Sequence, residues 1–404
     1  GDPQPLGDLA VAQAVELVEA EGRGHLRRQA LHTLQQALKA LGPEWSGTMI
    51  YGQNVQQDHK WQKLFERSWS FASVYAPARQ PPEWCFTILR SLKLIKQSFV
   101  FPAVSASREV FAQRPNLLWI AEYSSYTIPS LFWAYLRGIP VIVATDMGRG
   151  MPRKIAGIGN SITTGFSWIA EMKHRFLGRF VKGQVACSPW ARNPCYAGIE
   201  HVVLTPHAIN TTEYVVDESL RETIPVFLYA GSLTLGKGID LWFAACQRLR
   251  AEVSEPFKIR CVGGGDTEWA QQLAVQYGLT DILEFAGFRE GKELIREYQR
   301  ASVFVLPTRS DTYGVVAHEA AACGLPLILS CYAGCAEILL EQGKNGFVVN
   351  PTNADEMVAA MKSMLNNPLN RQQMGLRSRE IAEQWSVQNC GIKVADMIRL
   401  LVRE

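Results

Sequence analysis

Two carboxylates with seven residues between them, Asp311 and Glu319, flank the predicted start of a helix. An apolar strand is predicted to end at Pro307, and the following polar loop carries Asp311. The helix is predicted to begin near Gly314, which lacks a Cβ atom and would let the backbone approach a ligand closely. Glu319 then falls in the second turn. The amides at this helix N-terminus would suit a phosphate group: Gly314, Val315 and Val316.

A second polar segment follows the predicted strand Val226–Ala230. Its loop carries Lys237 between two glycines, and a lysine can supply a mobile positive charge to phosphate. On its own this pattern is weak, because a solvated lysine is more common than a ligand. Glycine turns are also predicted after two later strands, at residues 263–265 and 285–288. Such turns serve packing as often as ligand contact.

In this order, the segments resemble the retaining glycosyltransferases of family 4, which have the GT-B fold. That family has Glu at the first carboxylate position, where this chain has Asp311. The resemblance implies that Glu319 hydrogen-bonds the ribose hydroxyls of a nucleotide, that Asp311 faces the transferred sugar, and that Tyr313 and Gly314 lie beside the donor. The shorter Asp311 side chain reaches about 1.5 Å less far. The alternative is that both carboxylates only cap and solvate a helix.

The resemblance also assigns roles to the earlier loops, and it covers about residues 184–386. Lys237 matches a lysine that holds the donor diphosphate, whereas Ser232 stands where the family has a bidentate Arg. Arg289 could replace that cation only if its loop folds inward. Gly264 is expected near the donor, and Phe288 near its base.

The N-terminal half resembles the family mainly in its order of strands, loops and helices. Gly22 and Gly24 follow a strand predicted over Ala14–Glu19, and their loop would favour an anion. After the predicted strand Val141–Thr145, many family members place a His that contacts the transferred sugar. Here Asp146 follows the strand, and we predict that it takes over this contact.

Short apolar runs alternate with helical patterns along the chain, which indicates parallel sheets with crossover helices. One such helix is predicted over His25–Leu41. The expected fold class is α/β of the GT-B type, with two Rossmann-like domains facing each other across a cleft. The predicted acceptor domain is 1–207 and the nucleotide-sugar domain 208–386. Residues 387–404 are predicted to form a helix that packs back toward the first domain.

Charge is distributed unevenly between the two halves. Residues 1–207 carry 22 Lys and Arg against 14 Asp and Glu, and the remainder carries 19 against 24. Two stretches of the first half mix basic and aromatic residues, His59–Phe71 and Lys173–Lys182. These could dock on an anionic membrane; the alternative is ordinary helices whose basic side chains cover the core. Nucleic acid is not expected, because no recognised binding module occurs.

Composition indicates a soluble protein, with 47% hydrophobic and 20% charged residues. The nine cysteines are scattered and lack zinc-site spacing, so we expect buried thiols in a reducing compartment. Residues 1–6 do not resemble a signal peptide, and no stretch approaches the ~20 apolar residues of a membrane helix. We therefore predict a cytoplasmic protein, with contact at the inner face of the membrane at most.

Together these observations imply a retaining hexosyltransferase that uses a nucleoside diphosphate sugar, with UDP favoured, and needs no metal or cofactor. The acceptor would be a hydroxyl of a glycan or lipid-linked molecule, in glycan, polysaccharide or glycolipid synthesis. Two alternatives stay open. One is a nucleotide-sugar epimerase or hydrolase of the same fold, and the other is a non-catalytic scaffold subunit, which the departures at Ser232 and Asp311 would suit.

Overall fold

The computed structural model describes residues 7–13, 33–42, 45–51, 71–75, 111–112, 115–121, 128–145, 172, 175–192 and 199–403. These residues form two sheets that follow one another along the chain, and all strands within each sheet are parallel. The α/β class predicted from the sequence is therefore confirmed, with one parallel sheet in each half of the chain.

The first sheet has the strand order β3-β2-β1-β4-β5-β6-β7. Its strands are β1 Gly7–Gln13, β2 Trp45–Tyr51, β3 Phe71–Tyr75, β4 Leu117–Ala121, β5 Val141–Thr145, β6 Gly183–Ala186 and β7 His201–Leu204. Helix α1, Ile128–Leu136, leads into β5, and residues 33–41 are also helical. The first strand precedes the predicted range Ala14–Glu19, which lies outside the described residues. The apolar run Leu9–Ala12 pairs with β2 and β4.

The second sheet has the order β10-β9-β8-β11-β12-β13. Its strands are β8 Val226–Ala230, β9 Lys258–Val262, β10 Leu283–Gly287, β11 Val303–Leu306, β12 Leu327–Ser330 and β13 Gly346–Val349. The helices between and after them are α2 Ile239–Glu252, α3 Thr267–Gln276, α4 Lys292–Arg300, α5 Val315–Ala322, α6 Ala336–Leu339, α7 Ala354–Asn366 and α8 Pro368–Gln384. Strands β8, β11 and β12 are buried at every position, as expected for a parallel sheet covered on both faces.

The last helix, α9 (Val387–Arg403), packs on the first sheet rather than the second. Its apolar residues Val394, Ile398 and Leu401 share a core with the helical residues 33–41 and with strands β4 and β5. A Cβ added to Gly391 would lie 2.5 Å from Cβ of Gln36, so the absence of a side chain allows the two helices to cross closely. The chain thus crosses between the sheets twice, after β7 and again before α9.

The two crossings lie side by side. The Val387 amide donates to the Ile209 carbonyl at 3.0 Å, and Ala208, Val387 and Cys390 form a small buried cluster. A further link is the Trp190 indole N–H, which donates to Glu337 Oε1 at 3.2 Å. Both residues follow strand ends, so this bond spans the two sheets at their carboxyl ends. Within the described residues, every helix is too short or too polar to span a bilayer.

Candidate functional site

Loops at the carboxyl ends of β8, β9 and β10 are hydrogen-bonded into one layer. The Leu233 amide donates to the Gly264 carbonyl at 2.7 Å, and the Asp266 amide donates back to the Leu233 carbonyl at 3.0 Å. The Gly263 amide donates to Gly287 at 2.9 Å, which adds the third loop. In open α/β sheets this end of the strands is where ligands bind. This hydrogen-bonded layer is therefore the candidate ligand-binding surface of the second sheet.

Glycine is required where these loops approach each other most closely. Gly263 has a φ of +144°, and a Cβ atom there would lie 1.9 Å from the Gly231 carbonyl oxygen. Gly238 has a φ of +74°, and its Cβ would lie 2.0 Å from the Pro307 oxygen. Neither position tolerates a side chain without backbone movement. By contrast, nothing lies within 4 Å of a Cβ at Gly264, so its outer side is open.

A buried arginine fixes the loop after β8 to the loop after β11. Arg309 is 3% exposed and makes a bidentate ion pair with Asp240, at 2.6 and 2.7 Å. It also donates to the Leu235 carbonyl at 2.7 Å, and its own amide donates to Gly236 at 3.0 Å. Bidentate arginine pairs constrain geometry strongly. The short 3-10 helix Leu235–Lys237 is consequently held against the end of β11.

This clamp brings two predicted residues together. Lys237 Nζ lies 2.6 Å from Asp311 Oδ2, and the two side chains are 29% and 16% exposed. The other oxygen of Asp311 accepts from the Tyr313 amide at 3.2 Å, which orients the carboxylate. The Asp311 backbone is itself tied to the loop after β12 by Gly334, whose amide donates to the Asp311 carbonyl at 3.0 Å. A cation and a carboxylate are thus presented side by side at the strand ends.

Helix α5 begins beside this pair. Its N-cap is Gly314, at a φ of +89°, and no side chain caps the helix. A Cβ at Gly314 would lie 2.8 Å from Leu306 and 3.9 Å from the Asp311 carboxyl carbon, so the helix start and the carboxylate are neighbours. Val316 is partly exposed, whereas Val315 is buried. The first amides of a helix carry partial positive charge and suit an anionic ligand.

The Glu319 carboxylate is buried and hydrogen-bonded to two tyrosine side chains. It is 2% exposed, and its two oxygens accept from the hydroxyls of Tyr214 and Tyr298, each at 2.9 Å. Burial, and then the Glu319 charge, raise the pKa of both tyrosines, which therefore stay protonated and donate. The carboxylate is anchored between the crossing after β7 and helix α4. Its contact with a ribose stays a prediction.

The Tyr313 side chain also points into the protein interior. The side chain is fully buried, and its hydroxyl lies 3.2 Å from Nδ1 of His318. Nε2 of His318 lies 3.1 Å from the Ala382 carbonyl, near the second crossing. Burial lowers the pKa of His318 to about 4, so the ring is neutral at pH 7. The buried Tyr313 side chain therefore anchors the loop between β11 and α5 to the core, and only the Tyr313 backbone lies beside Asp311.

The remaining predicted residues of the second domain lie on the same loops. Ser232 is exposed, and its carbonyl accepts from the Tyr229 hydroxyl at 2.8 Å. Phe288 is 66% exposed and directly follows β10. Arg289 contacts its own segment, donating to the Phe288 carbonyl at 3.1 Å with Glu293 3.9 Å away. It therefore does not take the place of the missing arginine in this conformation.

Three predicted residues of the first domain lie outside the described residues: Gly22, Gly24 and Asp146. Sequence reasoning, in turn, missed the residues that hold the site in place, which are Arg309, Asp240, Tyr214 and Tyr298. Arg309 lies within the segment that was singled out, next to the strand end. Its partner is 69 positions away in the sequence, and no local pattern points to it.

Comparison with known proteins relates part of the chain to a described family. Residues 210–381 match the family described as glycosyl transferases group 1. A GDP-mannose-dependent alpha-(1-6)-phosphatidylinositol monomannoside mannosyltransferase of Mycolicibacterium smegmatis is 27% identical over 55% of this chain and 61% of its own length. Glycogen synthase of Mycobacterium tuberculosis is 28% identical over 45% of this chain and 44% of its own. The chain thus matches less than two thirds of the length of these relatives.

Solved structures extend the likeness to nearly the whole chain. Sucrose-phosphate synthase from Thermosynechococcus elongatus aligns with a TM-score of 0.70 and 20% identity, covering 98% of this chain and 99% of its own. Anabaena HepE in complex with UDP aligns with a TM-score of 0.71 and 15% identity, covering 98% and 100%. At such identities the likeness shows the fold. The chain thus has the GT-B fold, and residues 210–381, which carry Lys237, Asp311 and Glu319, match the glycosyl transferases group 1 family.

Proposed function

We propose that this protein transfers a sugar from a nucleoside diphosphate sugar to a hydroxyl acceptor, with retention at the anomeric carbon. One observation supports this most: Lys237 is held 2.6 Å from Asp311 beside the N-terminus of α5, on loops that buried hydrogen bonds fix in place. A diphosphate is stabilised by positive groups that are fixed in place before it binds. The hydroxyl groups of the sugar need hydrogen-bond acceptors beside those positive groups. The site supplies both.

The leaving group in this reaction is a nucleoside diphosphate, on which negative charge grows as the sugar bond breaks. Lys237 and the first amides of α5 would stabilise that charge, because they are fixed before the reaction starts. In the donor-free protein Asp311 is the counterion of Lys237. When the diphosphate binds Lys237, Asp311 is released to accept hydrogen bonds from the sugar hydroxyls. The family resemblance further suggests that the leaving phosphate deprotonates the acceptor on the same face, without a metal.

UDP is the donor nucleotide that we favour, since a structural neighbour was solved with UDP. We assign the contact with the base to Phe288, because its ring is exposed at the end of β10. GDP stays open because one relative is named as GDP-mannose-dependent. The acceptor is proposed to be a glycan or a lipid-linked molecule, in line with relatives named for glycogen and for phosphatidylinositol monomannoside. We place the reaction in the cytoplasm, with peripheral contact to an anionic membrane.

A radiolabelled donor tests the proposal. The protein is incubated with UDP-, GDP- and ADP-sugars, with and without oligosaccharide and glycolipid acceptors, and the products are separated and their anomeric configuration determined by NMR. We expect an acceptor-dependent product of retained configuration, and its loss in Lys237→Ala. The control, Lys292→Ala, removes an exposed lysine from α4 and should leave the rate unchanged.

Each other outcome has a distinct meaning. Epimerised or free sugar without an acceptor would indicate an epimerase or hydrolase. An inverted product would refute retention. If the folded protein binds none of the three nucleotides in a thermal-shift screen, the chain is a scaffold, as the absence of a cation at Ser232 would suit.

A further inference from the structure

The first domain exposes a group of aromatic side chains on the surface that α1 shares with residues 175–182. Phe180 lies at its centre, in edge-to-face contact with Phe132, Tyr135 and Phe176 at centroid distances of 4.8, 5.0 and 5.6 Å. The same two segments carry large apolar side chains that are between 46% and 71% exposed: Trp133, Tyr135, Leu136 and Phe176. Two of them, Tyr135 and Phe176, contact Phe180 directly, and grouped exposed apolar side chains are typical of interaction sites.

The charged side chains among the described residues of this surface are all positive. Its described segments, 128–145 and 175–182, contain no Asp or Glu. Their exposed charged residues are Arg137, Arg175, Arg179 and Lys182. The guanidinium of Arg137 lies over the Trp133 ring, 5.1 Å from its centroid, so cation and ring are presented together. We call these residues and the four exposed apolar ones above the aromatic–basic patch.

The topology places the patch on the far side of the domain from the proposed site. Helix α1 ends at Leu136 and leads into the first residue of β5, and residues 175–182 lead into β6 in the same way. The patch therefore lies toward the amino ends of these parallel strands, whereas the loops with Lys237 and Asp311 lie at carboxyl ends. A partner bound at the patch would leave the carboxyl ends of the strands open.

We propose that the aromatic–basic patch binds the surface of an anionic lipid bilayer and tethers the protein there. Aromatic rings prefer the interfacial layer of a bilayer, and basic side chains are attracted to anionic headgroups. The described residues of the patch, which combine rings and cations and include no carboxylate, fit that combination. The inference deepens the proposed function by naming a surface for the membrane contact, but binding to vesicles does not require sugar transfer. The two can therefore fail separately.

Vesicle cosedimentation tests the tether. The full chain is mixed with phosphatidylcholine vesicles that contain about 30% phosphatidylglycerol, or none. We expect binding to the anionic vesicles only, weakened by high salt. Arg175→Gln/Arg179→Gln should reduce the partition coefficient about 30-fold, since each basic residue near such a surface contributes about 5-fold. Trp133→Ala/Phe176→Ala should reduce it about 10-fold or more.

The matched control is Lys292→Gln/Arg296→Gln, which removes the same charge from exposed positions of α4 in the second domain. It should reduce the partition coefficient less than 3-fold, because charges far from the bound surface contribute only through long-range attraction to the vesicle. Equal losses in the control and in the arginine variant would overturn the proposal, as would no binding by the wild type. So would a dimer in light scattering that the patch variants convert to monomer, because the patch would then be an interface between copies. Circular dichroism confirms that each variant is folded.

Discussion

His318 should make the stability of the second domain depend on pH in a way that one substitution removes. The ring is fully buried between Tyr313 and the Ala382 carbonyl, and burial lowers its pKa from 6.5 to about 4. The unfolded chain therefore binds a proton between these values that the folded chain does not. Stability contributed by the neutral ring is present above pH 6.5 and is lost as pH falls toward 4.

The size of this effect follows from the two pKa values. Between pH 7 and pH 4.5, the shift corresponds to a loss of about 2 kcal/mol in the free energy of unfolding. Hydrogen bonds to the Ala382 and His207 backbone and the charge of Glu319 act in the opposite direction, but burial dominates. His318→Gln keeps an amide group where the ring nitrogens lie and cannot titrate in this range.

The assay is urea unfolding of both proteins at pH 7 and pH 4.5. Carboxylates whose pKa arginines lower, such as Glu222 and Glu341, also lose stabilisation in acid, but equally in both proteins. The variant should be less stable at pH 7 and should recover about 2 kcal/mol relative to wild type at pH 4.5. A difference between the two proteins that does not change with pH would refute the assignment of a neutral, buried His318.

Three further predictions concern the scaffold and the site. Arg260→Ala removes a β9 guanidinium that is 1% exposed and surrounded by three carboxylates, so the free energy of unfolding should fall by about 3 to 5 kcal/mol in urea titration. Gly263→Ala places a Cβ 1.9 Å from a carbonyl oxygen and should lower Tm by several degrees, whereas Gly264→Ala, with open space, should leave Tm unchanged in calorimetry. Asp311→Asn removes the counterion of Lys237, so UDP should bind up to about 5-fold tighter by fluorescence titration while turnover is lost; weaker UDP binding would contradict the competition between carboxylate and diphosphate.

Much of the second domain could be predicted because its strands are buried on both faces. Val226–Ala230 and Val303–Leu306 are continuous apolar runs that end at glycine or proline loops, so their positions in the sequence are well marked. The first strand was harder. Two apolar runs follow each other within residues 7–19, and periodicity cannot decide which of them pairs with a neighbour.

The site was predicted in composition but not in arrangement. The resemblance placed Lys237 and Asp311 near the same donor, although they are 74 positions apart, but their ion pair is visible only in three dimensions. Local sequence patterns do not reveal which side chains from distant parts of the sequence hold a site residue in place. The sequence correctly placed Glu319 in the second turn of α5. Its burial, however, depends on Tyr214, which is 105 positions away in the sequence. Because the family match spans residues 210–381, assignment of the domain does not depend on exposure of that one carboxylate.

The most direct test of the central claim is calorimetric titration of UDP, and of GDP and ADP in parallel, into wild type, Lys237→Ala and the control Lys292→Ala. We predict that one nucleotide binds wild type and the control equally, and that Lys237→Ala binds it about 10- to 100-fold more weakly, because a charge-assisted contact to phosphate is lost. If none of the three nucleotides binds, or if Lys237→Ala binds as tightly as the control, the loops around Lys237 and Asp311 do not hold a donor diphosphate.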